Sequence, residues 1–294
     1  MNTKIIFLVQ FFILSSHLYP QDQKKRITFE MGSNFNESNL VWSIAGNLEG
    51  HSPNVLSELK FNSIKSLGYY LSGSYSPLTY LRFSVYYHRN EGISGNGLDT
   101  DYRDDNRTNP TFEKNFMSNE GGFTVFNGGI GTPIELSNKL IISPTIFYYL
   151  SKQQFYLLAD QMKDLKSIYQ ADMHGMKISI DANIRLSKII YSSLTLSYQI
   201  VDYKAKANWN LIEVFKHPLS FSQASKGSGF DVNGGFEGEI NNTFSIITRG
   251  SLSSISIRKG IDTSYLITEK EISTQFNGAK NIIYGLQIGI RVSI

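Results

Sequence analysis

The sequence predicts an all-β fold: a transmembrane antiparallel β-barrel of about ten strands, with long extracellular loops and short periplasmic turns. Three observations carry this. Apolar and polar residues alternate with a period of two, ionisable residues recur on one face of those runs, and the chain begins like an exported protein. Aromatic residues and glycine are plentiful (17 Tyr, 19 Phe, 24 Gly). No segment after the leader approaches the apolar length of a membrane-spanning helix.

The leader comes first. MNTKIIFLVQFFILSSHLYPQDQKKR places Lys4 before an apolar run from Ile5 to Leu14, followed by small and polar residues. That is the charged and then apolar pattern of a secretory signal peptide, too short to span a bilayer. We assign residues 1–20 to the signal peptide and 21–294 to a single barrel domain; no linker, composition shift or internal repeat suggests a second. Without the leader, 27 basic residues face 25 acidic ones, and this balance gives no reason to expect nucleic acid as a partner. There are no cysteines, which excludes disulfides, thiolate catalysis and thiolate metal sites.

The strands follow in chain order. Leu81, Phe83, Val85 and Tyr87 oppose Arg82, Ser84 and Tyr86. Met176, Ile178, Ile180, Ala182 and Ile184 alternate with Lys177, Ser179, Asp181, Asn183 and Arg185. Phe230, Val232, Phe236 and Ile240 share a face opposite Asp231, Asn233, Glu237 and Glu239. The C-terminus is the cleanest run: Tyr284, Leu286, Ile288, Ile290, Val292 and Ile294 face one way, and Gly285, Gln287, Gly289, Arg291 and Ser293 the other. A soluble sandwich would have to bury the apolar faces and leave the polar ones in water. A barrel in lipid turns the apolar face outward and encloses the charges, which pair or meet water inside.

Turns divide the runs. Short connections fall at Ser76–Thr79, Leu136–Lys139, Ser187–Lys188 and Asn241–Asn242. Longer polar stretches fall near residues 46–55, 90–118, 158–174, 204–228 and 258–278. Four short turns alternating with five long loops imply about ten strands, with both chain ends on the periplasmic side. A ten-stranded lumen is narrow, and residues such as Lys177, Asp181, Arg185, Glu237, Glu239 and Arg291 would plug it with ion pairs, so a simple porin is disfavoured. Function then belongs to the loops.

The second of those stretches contains NGLDTDYRDDNRT, with Asp99, Asp101, Asp104 and Asp105 close together. His88 precedes it at the base of the predicted loop. From Glu91 to Lys114 the acids Glu91, Asp99, Asp101, Asp104, Asp105 and Glu113 outnumber the bases Arg103, Arg107 and Lys114. The bland reading is a solvated loop. An EF-hand would want Asp or Asn where Arg103 stands and Gly where Asp104 stands, which argues against calcium. His51, His88, His174 and His217 lack metal-ligand spacing, and no phosphate-binding glycine loop or G-x-S-x-G elbow is present.

SELKF (Ser57–Phe61), LDTDY around Asp99 and Asp101, and NGAKNIIYG (Asn277–Gly285), on a ten-strand pattern with a leader, resemble the omptin superfamily of outer-membrane barrels. The resemblance spans the mature chain as scattered short matches. It implies an active-site groove at the extracellular mouth, in which an Asp-x-Asp pair faces an Asp-x-His pair and the His–Asp couple activates water. Asp99 and Asp101 match the first pair. At the second pair stand Asn208 and Asn210, whose amides cannot take a proton from water; His217 lies a few residues on. Where proteolytic members bind basic side chains with carboxylates, this chain has Leu40 and Lys206.

The reading is therefore an omptin-like surface barrel of the bacterial outer membrane, monomeric, with loops facing the exterior. Its groove residues are Asp99, Asp101, His88, Asp104 and Asp105, and Asn208 and Asn210 occupy degenerate positions. Two functions stand: an adhesin-like binder of an extracellular protein or peptide, or an endopeptidase in which Asp99 and Asp101 position a water. The expected surroundings are outer-membrane lipid and lipopolysaccharide, the latter as a possible requirement; no other cofactor, no metal and no nucleic acid is expected.

Overall fold

A computed structural model describes residues 26–159 and 163–294; the signal-peptide assignment lies outside them. Thirteen strands form one antiparallel sheet: β1 (Ile27–Ile44), β2 (Ser57–Leu78), β3 (Leu81–Asp104), β4 (Thr108–Met117), β5 (Gly121–Gly131), β6 (Ile134–Ser137), β7 (Leu140–Leu158), β8 (Lys166–Arg185), β9 (Ile190–Asn208), β10 (Phe221–Glu239), β11 (Phe244–Ile257), β12 (Gly260–Tyr265) and β13 (Glu271–Ser293). β4 to β6 lie end to end along β7, and β11 and β12 lie end to end along β13, so the wall has ten staves. β1 pairs with β13 from Thr28↔Ser293 to Ile44↔Phe276 and closes the ring. Closure leaves the membrane-facing wall without a free edge, which lipid requires.

The predicted short turns all appear, and Ile27 and Ile294, bonded to each other, lie at the same end. Of the predicted long loops, 46–55 is a loop and 209–220 is one within 204–228, but much of the remaining stretches is strand. The segment 90–118 is mostly β3 and β4, joined by a single 3-10 turn at Asp105–Arg107. Likewise residues 204–208 continue β9 and residues 221–228 open β10. Staves of about twenty residues run well beyond the nine to eleven that a tilted strand needs to cross a bilayer. The surplus stands clear of the membrane as a second storey. These stretches lose the apolar-out pattern without losing strand structure, which is why they read as loops.

β9 shows the change of chemistry. Its outward residues Leu194, Leu196, Tyr198 and Ile200 are exposed and apolar, while Thr195, Ser197 and Gln199 point inward. Beyond Ile200 the two-residue alternation continues unbroken, but Asp202, Lys204 and Lys206 now face out and Val201, Tyr203, Ala205 and Ala207 face in. Ile200 is 58% exposed and Val201 1%. β8 makes the same exchange between Met176 and His174. The lower storey is apolar outside because lipid surrounds it, and the upper storey is polar outside because water does.

Inside, the lower storey encloses a cavity of about 600 Å³ lined mainly by serines, amides and charges. Glu30 accepts from Arg249 at 2.7 and 3.0 Å and from Arg291 Nε at 2.7 Å, and Arg291 also pairs with Glu237. Lys177 meets Asp231 at 2.5 Å, and Thr195 donates to Asp181 at 2.6 Å. These pairs line the space rather than fill it. Tyr70 fits across the lumen because its neighbours are the cross-strand pair Gly32 and Gly289: a Cβ on Gly289 would lie 2.3 Å from the Tyr70 hydroxyl.

The upper storey is filled with apolar side chains. Phe61 packs on Phe155 at 4.7 Å and on Phe116 at 5.4 Å, and Trp42 stacks on Tyr169 at 5.2 Å. Tyr203 stacks on Phe276 at 5.8 Å. It is this aromatic core, rather than an ionic plug, that closes the lumen toward the rim.

Candidate functional site

The rim is the end of the wall away from Ile27 and Ile294. Asp99 and Asp101 stand there on β3, opposite Leu59 and Ser57 of β2. Directly paired residues of antiparallel strands share a face, and Leu59 is fully buried in the core. Both carboxyls therefore point to the inner side, roughly 7 Å apart along the strand. Leu59 in turn pairs with Trp42 of β1, so Asp99, Leu59 and Trp42 form one inward row across three strands.

Burial and the charge of Asp101 push the Asp99 carboxyl up to about 7. Burial also raises Asp101, against a hydrogen bond from Ser57. Among the described residues neither carboxyl has an ion-pair partner, Lys114 opposite Asp99 on β4 being exposed, and one proton between the two carboxyls near neutral pH relieves the repulsion. Trp209 and Phe221 complete the aromatic surroundings, Trp209 lying 6.5 Å from Trp42 and 4.8 Å from Phe221.

The other expected groove residues lie elsewhere. Asn208 continues the outward face of β9, where its Oδ1 accepts from His217 Nδ1 at 2.6 Å. Asn210 ties two rim connections together: its Oδ1 accepts from the Lys166 backbone at 2.9 Å and the Ser167 hydroxyl at 3.0 Å, and its amide donates to the Asp164 carbonyl at 2.8 Å. Leu40 is part of the core, and Lys206 is exposed on the outer face.

His88 is corrected from the base of the groove to the lumen. The even-numbered residues of lower β3 face inward, and His88 lines the cavity beside Tyr86, whose hydroxyl lies 3.2 Å from its Nδ1. Asp104 and Asp105 are corrected from groove residues to turn residues. Asp105 accepts from the Asn54 backbone at 2.6 Å, Asp104 from the Asn109 amide. Beside them Arg107 donates to Glu58 at 2.8 Å. Although burial opposes ionisation of Glu58, Arg107 and Lys60 outweigh it and hold the carboxyl below its usual range. The four aspartates thus separate into two that face the core and two that fasten a turn.

Sequence reasoning missed Trp42, Trp209, Phe221, Gln223 and Asp262. Trp42 carried a usable signal, the two-residue spacing with Leu40 in NLVWSI. Asp262 carried none, because its burial depends on β12 folding between β10 and β13.

A family profile described as "Pom: Protochlamydia outer membrane protein" matches residues 30–294. No curated protein matches. Among solved structures, the outer membrane protease OmpT from Escherichia coli aligns with a TM-score of 0.75 at 11% identity, over 95% of this chain and 100% of that one. The outer membrane protein OprG from Pseudomonas aeruginosa aligns with a TM-score of 0.40 at 10% identity, over 92% of this chain and 97% of that one. At such identity the OmpT match is a likeness of fold.

Proposed function

The chain belongs to the Pom family of outer membrane proteins, and on that premise we propose that its rim binds an extracellular ligand without hydrolysing it. The observation that carries this reading is the inward Asp99–Asp101 pair beside an aromatic core, with no histidine bonded to it among the described residues. In an Asp–His couple the imidazole takes the proton of the attacking water, and among the described residues no imidazole stands opposite this pair. Asn208 cannot accept one and faces outward, and Asn210 is engaged by three neighbours. Two carboxyls lacking cations suit a ligand that brings its own positive charge or donors, and the aromatic groups suit its apolar part. In this reading the rim faces the cell exterior, the barrel is a monomer, and lipopolysaccharide surrounds it.

A peptide-library digest with the refolded barrel in lipopolysaccharide tests this. Peptides are expected to stay intact from acidic to alkaline pH, while fluorescence of the two tryptophans changes as a cationic library fraction is added. Asp99→Asn with Asp101→Asn should abolish that change. Cleavage that disappears in Asp101→Ala would overturn the reading in favour of an endopeptidase. Installing Asn208→Asp with Asn210→His is expected to yield no cleavage, because the first side chain points away.

The cavity favours a second reading, passage of small polar solutes. Buried polar atoms around it, including Gln199 Oε1, Asn127 Oδ1 and the Ser197 hydroxyl, have no protein partner, as expected of a water-filled space. The aromatic core would have to open for passage. Planar-bilayer conductance decides: steady current through the native barrel supports passage, and its absence in native and rim-truncated forms removes it.

A further inference from the structure

The upper core contains one polar chain that the proposed binding reading does not use. Tyr169 donates to the Gln223 amide oxygen at 2.7 Å, and the same amide donates through its nitrogen to Asp262 Oδ1 at 3.0 Å. Since the Tyr169 proton is committed to Gln223, the hydroxyl contact between the two tyrosines has Tyr203 as its donor. The chain Tyr203–Tyr169–Gln223–Asp262 thus joins β8, β9, β10 and β12 across the inside of the barrel. No member is more than 3% exposed.

It ends on a carboxyl with no cation. Asp262 is 2% exposed, and among the described residues no lysine, arginine or histidine lies within ion-pair distance of it. On either side it pairs with Gln223 of β10 and Thr274 of β13, whose buried hydroxyl has no partner. The charged residues of the flanking strands point elsewhere: Lys226 of β10 reaches outward to Asp202 at 3.5 Å, and Lys204 of β9, Asp172 of β8 and Glu271 of β13 are exposed. The titratable groups that do face it are Tyr169 and Tyr203, both raised by burial and so neutral throughout the ordinary pH range. Tyr169 also stacks on Trp42, which lies beside Trp209.

We propose that Asp262 is a proton-operated latch: as a neutral acid it is tolerated at the end of this chain inside the closed aromatic core, and its ionisation, which the one bond from Gln223 does not offset, draws in water and loosens that core. A carboxylic acid satisfied by one amide is tolerated in an apolar interior, whereas a carboxylate with one neutral donor and no counter-charge is not. Burial places the changeover at about 7. The core is therefore tight in mild acid and opens locally as pH rises. This goes beyond ligand binding and holds whichever reading of the rim is correct.

Of the two tryptophans, Trp42 is buried in this core and Trp209, partly buried, packs against it, so their accessibility reports on it. Acrylamide quenching of the full-length mature barrel in detergent micelles, scanned from acid to alkali, should increase about two-fold or more as the core opens locally. The midpoint should fall near 7. The increase should vanish in Asp262→Asn and persist in Asp99→Asn, which removes the other carboxyl that changes state in the same range. A flat scan of the native protein overturns the latch, and so does a step that survives Asp262→Asn. If that variant does not refold, Gln223→Leu serves instead. Loss of the sole donor should move the midpoint upward, and an unmoved midpoint is equally fatal.

Discussion

The two storeys of this barrel are built from the same strands with the same alternation, yet they are chemical inverses. Along β9 the inward positions read Thr195, Ser197, Gln199 and then Val201, Tyr203, Ala205; the outward ones read Leu196, Tyr198, Ile200 and then Asp202, Lys204, Lys206. Nothing slips in register at the border. What changes is the solvent outside. In lipid the wall hides its polarity, and above lipid it hides its grease, so the lower interior is a hydrated, charge-lined cavity and the upper interior a soluble-type hydrophobic core. One lesson is that packing and hydration are divided by height: the upper core both closes the lumen and supports the rim carboxyls.

The strongest challenge to that division is a pair of inward truncations. Phe61→Ala, in the upper core, should destabilise by about 3–5 kcal/mol through lost burial and a cavity. Ser197→Ala, in the lower lumen, should stay within about 0.5 kcal/mol. Denaturant titration followed by the heat-modifiable gel shift measures both, and equal losses would abolish the distinction.

The outward faces provide the mirror test. Ile288→Lys on the lower wall should cost about 2–4 kcal/mol if it lies near the bilayer midplane. Lys204→Leu on the upper wall should change stability by less than about 0.5 kcal/mol in the same titration. A large effect at Lys204 would mean that lipid reaches higher than the exchange of polarity suggests.

A pH series sharpens the comparison further. Asp99 has a folded value of about 7 against 3.8 for the free group. The folded state therefore binds the proton more tightly between those values, and stability is lost as pH rises through that window, levelling off above it. At the partly wetted rim the loss is on the order of 1–2 kcal/mol, and Asp99→Asn should remove it. Asp262 adds a slope of the same sign. A slope that steepens in Asp99→Asn would refute the assignment.

Among the variants expected to lose stability, the smallest loss is at Asn210→Ala, which releases the contacts between the connections on either side of β8 and β9. A loss of about 1 kcal/mol is expected, with faster amide exchange confined to residues 163–168 and 209–212.

Much of this was legible in the chain. Period-two runs such as Tyr284–Ile294 identified strands, and the four short turns located their lower ends, because side-chain alternation and turn chemistry are local properties. Ten staves followed, although interruptions in the backbone pairing divide two of them into several strands, as at Met117–Gly121 and Ile257–Gly260. Much of the upper storey was misread as loops, although 46–55 and 209–220 are loops. YKAKAN at 203–208 alternates as cleanly as any lower strand, but with its charges on the face that lower down is apolar. The site was half legible: Asp99 and Asp101 stood out as a pair, though in a loop, and only the continuation of β3 sets both on one face, whereas the tips of Asp104 and Asp105 were claimed by Asn109 and Asn54. His88 was placed at a loop base, and only the continuation of β3 shows it inside the wall.

By itself, then, the order of residues determined the strand parity, the lower turns and a wall with one lipid-compatible face. Each of these depends on neighbours within a few positions. Tertiary structure alone decided where along each strand inside and outside exchange chemistry, which carboxyls lose their counter-charges, and that aromatic packing rather than ion pairing closes the lumen. Those outcomes are set by which strands meet across a closed ring and by the height at which the ring leaves the membrane, and no single stretch of sequence contains either.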